Sequence, residues 1–538
     1  MAVRVIALSA NHCVLIYTHI LITTYHSLLP IPSFSKMKRF CLCSLFLVAI
    51  ICGFCNNSNA SEGKIRIALY KDGGVSDGYK NDVAVIEQDP TLVYELVNGQ
   101  QIRDGVLKNF DIVFLPGGSG KGQAASMGED GVKQVKEFVK SGKGYIGICA
   151  GAYFPIQQEF INAQTKDPRW ERGSAVLMIE FSDLGLKIVG DKFKGQQEVH
   201  YGNGPVMNVN MIPNKPNVEV LAWYRTETAK NGTPEGIQVN SPAILLTTYG
   251  KGTVVTISPH PERTPAMNEV LLKLIHHVAD NLCFDEEPPC VLRTETSQPN
   301  PVIAPAVPYM DAMGSVEWIP EKDVSWFNTS KKLPFRAGER YRGLPYTQDA
   351  RYTNLEMFKE LLKDVDGQPI YTGPTESDKY RGTDCSSSCS YSWKHTIPYL
   401  PIMKTWHMEP GDWHLIHPQT GKTVSIFRRV GDYRFTDFHE SKDVIAENGR
   451  EVMERCYDQL LPGDALVKRP HGHVVMVCRV DKAAKVVYIT EQGGTNPDDR
   501  SQFLSDHQTW RVQYPFTYDK LIEDGYLPIA INEDILTK

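Results

Sequence analysis

The chain has no excess of basic residues: 57 Lys and Arg face 63 Asp and Glu, a formal net charge of −6. Nucleic acid and anionic membrane surfaces are therefore not indicated as partners. No apolar run is long enough to read as a membrane span in the mature chain. The most hydrophobic stretch, residues 40–54, follows Met37-Lys-Arg and is followed by Ser58-Asn-Ala60. That order reads as a signal peptide over residues 37–60, cleaved after Ala60, with the product secreted or periplasmic. Cys52 and Cys55 leave a lipid-anchored form as the alternative, although the residues before them fit a lipobox poorly. Residues 1–36 carry no fold signal, so this extension reads as dispensable and Met37 as a candidate start.

A disulfide framework is also lacking. Cys13, Cys41, Cys43, Cys52 and Cys55 precede the cleavage point, which leaves Cys149, Cys283, Cys290, Cys385, Cys389, Cys456 and Cys478. An odd number keeps at least one thiol free even in an oxidising compartment. Cys283 and Cys290 flank an acidic, proline-containing loop and are candidates to pair. No histidine or cysteine spacing stands out as a metal site, and no internal repeat is visible. Neither a metal nor a cofactor is expected.

The length of 538 residues exceeds what one core organises, so two domains are expected. Residues 286–308 lack apolar periodicity and are punctuated by Pro288, Pro289, Pro299, Pro301, Pro305 and Pro308. Such a stretch reads as an extended, semi-rigid spacer. It separates residues 61–285 from residues 309–538.

In the first part, apolar strands at residues 64–70, 110–116 and 144–148 alternate with helical spacing, as at Val132, Val135, Phe138 and Val139. The pattern predicts a parallel, doubly wound α/β sheet with its site at the strand C-termini. Gly147-Ile-Cys-Ala-Gly151 supplies the chemistry. Small residues on either side of Cys149 permit a sharp strand-to-helix turn that aims the sulfur outward. A helix N-terminus after it favours the thiolate. Backbone N–H groups of Ala150 and of the Gly117-Gly118 loop could form an oxyanion hole. Downstream, Ser258-Pro-His-Pro-Glu262 delivers His260 as a base and Glu262 as the acid that orients it. His200, beside Tyr201, reads as a structural or pocket-lining histidine. These motifs resemble a class I glutamine amidotransferase-like domain of flavodoxin-like architecture. Tyr201-Gly-Asn-Gly-Pro205 makes the part most similar to the subgroup at the N-terminus of biotin-protein ligases. The resemblance implies a Cys149-His260-Glu262 triad without implying glutamine as substrate.

The second part contains Arg381-Gly-Thr-Asp-Cys-Ser-Ser-Ser-Cys-Ser-Tyr-Ser-Trp393, with Cys385 placed to start a helix. Helical spacing also covers residues 354–363, and Gly343-Leu-Pro-Tyr346 reads as a turn bringing Tyr346 toward a cleft. Leu460-Leu-Pro-Gly-Asp464 turns into an antiparallel meander, in which His473 opens one strand and Glu491-Gln492 ends the next. Cysteine, histidine and then a polar orienting residue is the order of a papain-like site. Strand alternation puts one of Glu491 and Gln492 on the histidine's side, and Glu491 is favoured. The motifs resemble an NlpC-type papain-like peptidase of α+β fold, the Glu-Gln-Gly end being closer to CHAP amidohydrolases. The resemblance implies Cys385 as nucleophile, His473 as base and Glu491 as orienter, with Tyr380 and Gln492 helping to bind substrate or oxyanion. A cysteine at position 389 departs from the family pattern.

Taken together, the sequence predicts a secreted bacterial cysteine peptidase or amidase, a hydrolase cutting amide bonds in peptidoglycan stem peptides. Two alternatives are a cell-wall peptide-binding protein with one or both sites silent, and an N-terminal glutaminase or amidase as the main activity.

Overall fold

The strands that the sequence marks as continuous apolar runs lie at the centre of a nine-stranded sheet. The computed structural model describes residues 63–167, 169, 171–283, 290–324, 335–348, 350–376, 381–434, 440–470, 472–493 and 509–536. The segment expected to be a signal peptide, residues 37–60, and the extension before it lie outside them, as does Tyr380. Strands β1 (Ile65–Tyr70), β2 (Leu92–Val97), β3 (Ile112–Leu115) and β4 (Gly144–Ile148) are followed by β5 (Ser174–Phe181), β6 (Gln196–Gly202), β7 (Glu219–Tyr224), β8 (Pro242–Tyr249) and β9 (Gly252–Ile257). The spatial order is β2-β1-β3-β4-β9-β8-β7-β5-β6. From β2 to β9 every pairing is parallel, and β3, β4 and β9 are buried along their whole length. Both faces of such strands are covered, which is why they read as unbroken hydrophobic runs.

Beyond β9 the sheet turns antiparallel, a departure from the all-parallel expectation. Tyr249 pairs with Gly252, so only Gly250 and Lys251 join β8 to β9, and so short a link permits only antiparallel pairing. Helices α1 (Tyr79–Ile86), α2 (Gly120–Lys140), α3 (Ala150–Gln157) and α4 (Asn268–Ala279) complete this α/β half. Alternate residues of the parallel strands enter two separate cores. Ile67, Phe114 and Ile146 pack with Val85 of α1 and Leu271 of α4, whereas Ala68, Val113 and Tyr145 pack with Val135 of α2 and Phe154 of α3.

The stretch expected to act as a spacer is largely built into the second half. Cys290–Val291 forms β10, and Arg293 ion-pairs with the buried Asp464. Ile303 is buried, and helix α5 (Ala306–Ser315) begins before residue 308. Apolar residues at 303, 306, 307 and 310 supply the core contacts that its prolines obscure. Cys283 and Cys290 are free thiols, as are Cys385 and Cys389.

A seven-stranded sheet organises this half: β10, β11 (Phe427–Val430), β12 (Ala465–Lys468), β13 (His473–Asp481), β14 (Val486–Gln492), β15 (Trp510–Thr517) and β16 (Leu527–Ile531). Its order is β10-β11-β16-β12-β13-β14-β15, antiparallel except for β10 with β11. Helix α6 (Cys385–Lys394) lies against α5 and β13. The serines of α6 suit this buried place. Ser388, Ser390 and Ser392 return their hydroxyls to carbonyls of Cys385, Ser386 and Ser388 at 2.9, 2.7 and 2.8 Å, so no polar group is left unpaired by them. Residues 354–363, expected to be one helix, are instead a helix at Leu355–Lys359 followed by the hairpin Leu362–Val365 and Gln368–Tyr371. Asp366 and Gly367 both have positive φ, 53° and 76°, the backbone of a two-residue hairpin turn.

The halves meet where the hairpin His414–Ile416 and Thr423–Ser425 reaches β8. Thr248 donates its hydroxyl to the His414 carbonyl at 2.7 Å, and Ile416 joins the first half's core. Burial, aided by the charge of Lys251, pulls the His414 imidazole down to about 4, so it is neutral in the folded protein. An unfolded histidine titrates near 6.5, so acidification from pH 7 to 5 adds a proton to the unfolded chain alone. Stability should fall by roughly 2 kcal/mol from this residue over that interval. Urea titrations of His414→Gln at the two pH values should show that increment missing.

Candidate functional site

In the first half the sequence forces a sharp turn at Cys149, between β4 and α3. Cys149 has φ 51° and ψ −98°, a region a side chain adopts at a strain of about 1–3 kcal/mol. Its N–H is fixed by the Ile257 carbonyl at 2.8 Å. The glycines around it are required by close packing. A Cβ at Gly147 would lie 2.2 Å from the Gly151 carbonyl oxygen, and one at Gly151 would lie 2.0 Å from that of Leu115.

The chain after β9 brings His260 to the thiol. The His260 N–H donates to the His200 carbonyl at 2.7 Å, so strand β6 holds the histidine's backbone. His260 Nδ1 lies 2.7 Å from Glu262 Oε1, and both side chains are buried. A carboxylate only accepts, so Nδ1 carries the hydrogen and Nε2 is left for Cys149. Burial draws the imidazolium down, but hydrogen bonds with Cys149 and Glu262 and their charges outweigh it, raising His260 to about 10. Gly117 abuts the pair: a Cβ there would be 3.1 Å from His260 Cε1 and 3.7 Å from the Cys149 Cβ. Gly118, at φ 143°, follows it on the cavity wall, and Ala150 begins α3 directly after the thiol. The structure thus gathers Cys149, His260, Glu262, Gly117, Gly118 and Ala150. His200 stands beside them, its ring centroid 5.7 Å from that of His260 and its Nε2 3.3 Å from the Ser174 hydroxyl.

Cys149 and His260 open on a cavity of about 360 Å³, also lined by Lys121, Tyr153, Asn203 and Arg263. One residue nearby had no sequence signal. Asp82, on α1, is buried, and its Oδ1 has no hydrogen-bond partner among the described residues; the same is true of Glu262 Oε2. Burial first, and then the charge of Glu262, pushes the Asp82 carboxyl well above the usual range.

The second half holds a separate centre. Cys385 is the first residue of α6 and is 8% exposed. Asp384 caps the helix, accepting from the Ser387 N–H at 2.7 Å, while Ser387 Oγ accepts from the Asp384 N–H at 2.9 Å. His473 Nε2 lies 2.5 Å from Glu491 Oε2, so here the other ring nitrogen, Nδ1, is left for the sulfur. Burial again lowers the imidazolium, and the charge and hydrogen bond of Cys385 together with Glu491 raise it to about 10. Burial acts to raise the Glu491 carboxyl, but the His473 hydrogen bond and the His473 and Arg511 charges hold it below its usual value. Arg511 Nε sits 2.7 Å from Glu491 Oε1. It comes from β15, and nothing in the sequence marked it.

One sequence expectation changes here. Gln492 does not face a substrate: its Oε1 accepts from Thr383 Oγ1 at 2.6 Å and its Nε2 donates to the Leu344 carbonyl at 2.9 Å. Strand alternation turns it away from His473, and it ties down the turn before Cys385. Tyr346 stands near this thiol, as its turn suggested: its backbone bridges to Thr383, and its phenol is raised by burial and by Cys385.

The family model described as "Biotin-protein ligase, N terminal" matches residues 103–167, a span that includes Gly117, Gly118, Cys149 and Ala150. A biotin–protein ligase of Schizosaccharomyces pombe is 26% identical over 198 residues, covering 30% of this chain and 27% of that protein. The chain therefore spans under a third of that relative's length. Among solved structures, PurLQS from Thermotoga maritima aligns at 17% identity and a TM-score of 0.29, covering 40% of this chain and 99% of that one. A glutamine amidotransferase from Thermotoga maritima aligns at 14% identity and a TM-score of 0.25, covering 40% and 83%.

The family model and the relative agree with the biotin-protein ligase part of the N-terminal resemblance and correct the functional expectation. The matched family and relative are named for biotin-protein ligases and not for peptidases. The secreted peptidoglycan hydrolase, its peptidase and cell-wall attributes and its two alternatives are withdrawn. No finding supports an NlpC-type or CHAP identity for the second half.

Proposed function

We propose that the chain is an acyl-transfer protein of the biotin-protein ligase kind, in which Cys149 accepts an acyl group as a thioester and passes it to an acceptor. One observation carries this reading: a strained thiol set against an imidazolium at the mouth of a substrate-sized cavity. The Cys149 thiolate attacks the carbonyl carbon of an activated donor. The S–C bond forms, the bond to the donor's leaving group breaks, and His260 gives that group its proton. The N–H groups of Ala150 and of the Gly117-Gly118 loop receive the carbonyl oxygen as charge builds there. An acceptor amine then attacks the thioester, its proton returns to His260, and the thiolate is restored. Glu262 holds His260 in the tautomer that both steps use.

This chemistry lies in the half built on the nine-stranded sheet, and the half built on the seven-stranded sheet carries a second thiol. Cys385, His473 and Glu491 form a second thiol centre of papain-like arrangement, supported by the helix-borne cysteine and by the use of Nδ1 toward sulfur.

The test is incubation of the full chain with the p-nitrophenyl ester of biotin, then with a lysine-containing peptide, followed by mass spectrometry. A hydroxylamine-labile biotinyl adduct on Cys149 that moves to the peptide, and is absent in Cys149→Ala, is the expected result. Release of free biotin with no adduct and no acylated peptide would remove the reading.

A further inference from the structure

The Cys149 cavity carries positive charge that the thiol–imidazole pair does not need. Lys121, in the first turn of α2, and Arg263, in the turn after Glu262, both line it. Neither side chain forms an ion pair among the described residues, and both are exposed to solvent. Apart from Cys149 and His260, the other lining side chains, such as Ser76, Ser119, Gln157 and Asn203, are uncharged, and no carboxylate among the described residues lines the cavity. Glu262 and Asp82 do not line it. Glu262 is engaged by His260, and burial raises the Asp82 carboxyl well above its usual value. Arg263 also acts on this space electrostatically, since after burial its charge is the next cause that lowers His200.

The Cys149–His260 pair carries no net charge whichever partner holds the proton, so a substrate in the cavity meets two uncompensated cations. A neutral substrate would desolvate them without recompense, whereas an oxyanion would convert them into charge-assisted hydrogen bonds. We propose that Lys121 and Arg263 bind an anionic group, phosphate or carboxylate, carried by the acyl donor that Cys149 attacks. The donor is then an acyl compound bearing an oxyanion close to its reactive carbonyl, as in an acyl phosphate or a dicarboxylic monoester. This assignment rests on the acyl-transfer reading for its chemistry, but the charge selectivity can be measured without it.

The experiment uses the full chain at low salt and follows alkylation of Cys149 by peptide mapping, comparing anionic iodoacetate with neutral iodoacetamide. The ratio of the two rates should exceed that of free cysteine by roughly 10-fold, as two nearby positive charges would produce. In Lys121→Gln/Arg263→Gln the ratio should return to the free-cysteine value, with the iodoacetamide rate within about twofold of the parent. Inorganic pyrophosphate and succinate are then added separately as protectants against iodoacetamide. Protection by pyrophosphate assigns the site to phosphate, and protection by succinate assigns it to carboxylate. A parent ratio equal to that of free cysteine, or one unchanged in the double variant, overturns the proposal. Failure of thioester transfer with the selectivity intact would remove only the acyl-transfer reading. Loss of selectivity with transfer intact would remove only the anion site.

Discussion

A His260→Gln chain is expected to acylate Cys149 roughly 10²–10⁴-fold more slowly than the parent, the range that a positioned proton-transfer group supplies. His260 is the group placed to take the Cys149 proton and to protonate what leaves. It is able to do so at neutral pH because its protonated form is stabilised from both sides, by the sulfur and by Glu262, against the opposing effect of burial. Glutamine is close in size and uncharged, so the elbow and the cavity should survive while the proton is lost. The measurement is single-turnover release of p-nitrophenol, with the Cys149 peptide mapped to confirm the site.

The same experiment has a pH dependence of defined sign. With the folded imidazolium raised to about 10, the acid form persists from neutral pH up to that value and is lost above it. The parent acylation rate should therefore hold up between pH 7 and 9 and fall through about 10. In Glu262→Gln one of the stabilising partners is neutralised, so the fall should begin at lower pH. A His260→Gln rate within threefold of the parent would remove His260 from the chemistry.

Most of the first site was legible because its chemistry sits on short contiguous motifs. Cys149 is flanked by glycines that only close backbone packing explains, and His260 and Glu262 lie two residues apart, so one turn delivers both. The residues that escaped are set by tertiary packing alone. Asp82 belongs to an unremarkable helix, and Arg511 reaches Glu491 from a neighbouring strand across a pairing that local pattern does not encode. Fold expectations failed for a similar reason. The Leu355, Phe358 and Leu362 spacing fits a helix, yet Asp366-Gly367 favours a hairpin, and pairing with Gln368–Tyr371 takes Leu362 into a strand. The prolines after residue 286 suggested a spacer, while the few apolar residues among them were enough to dock the segment. Function was the least legible level, because a cysteine–histidine–carboxylate set serves ligation and hydrolysis alike.

Arg351→Met is expected to destabilise the folded chain by roughly 3–5 kcal/mol, the effect of breaking a buried ion pair from one side. Arg351 Nη1 lies 2.5 Å from Asp384 Oδ2 and 3.0 Å from Ser386 Oγ, and Nη2 donates to the Met403 carbonyl at 2.6 Å. Their side chains are 3% and 7% exposed, so neither charge has water to fall back on. Methionine fills much the same volume and leaves the Asp384 carboxylate buried beside the start of α6, where the helix N-terminus compensates it only in part. That carboxylate is also the cap that fixes the first turn, so the position of Cys385 depends on it. In Arg351→Met/Asp384→Asn the uncompensated charge is gone while asparagine still caps the helix. The double variant should then regain more than half of the lost stability in urea unfolding. A loss below about 1 kcal/mol in Arg351→Met would mean that the pair contributes no more than a solvent-exposed one. A double variant no better than the single would mean that the bonds to Ser386 and Met403, rather than the charge on Asp384, are what Arg351 supplies.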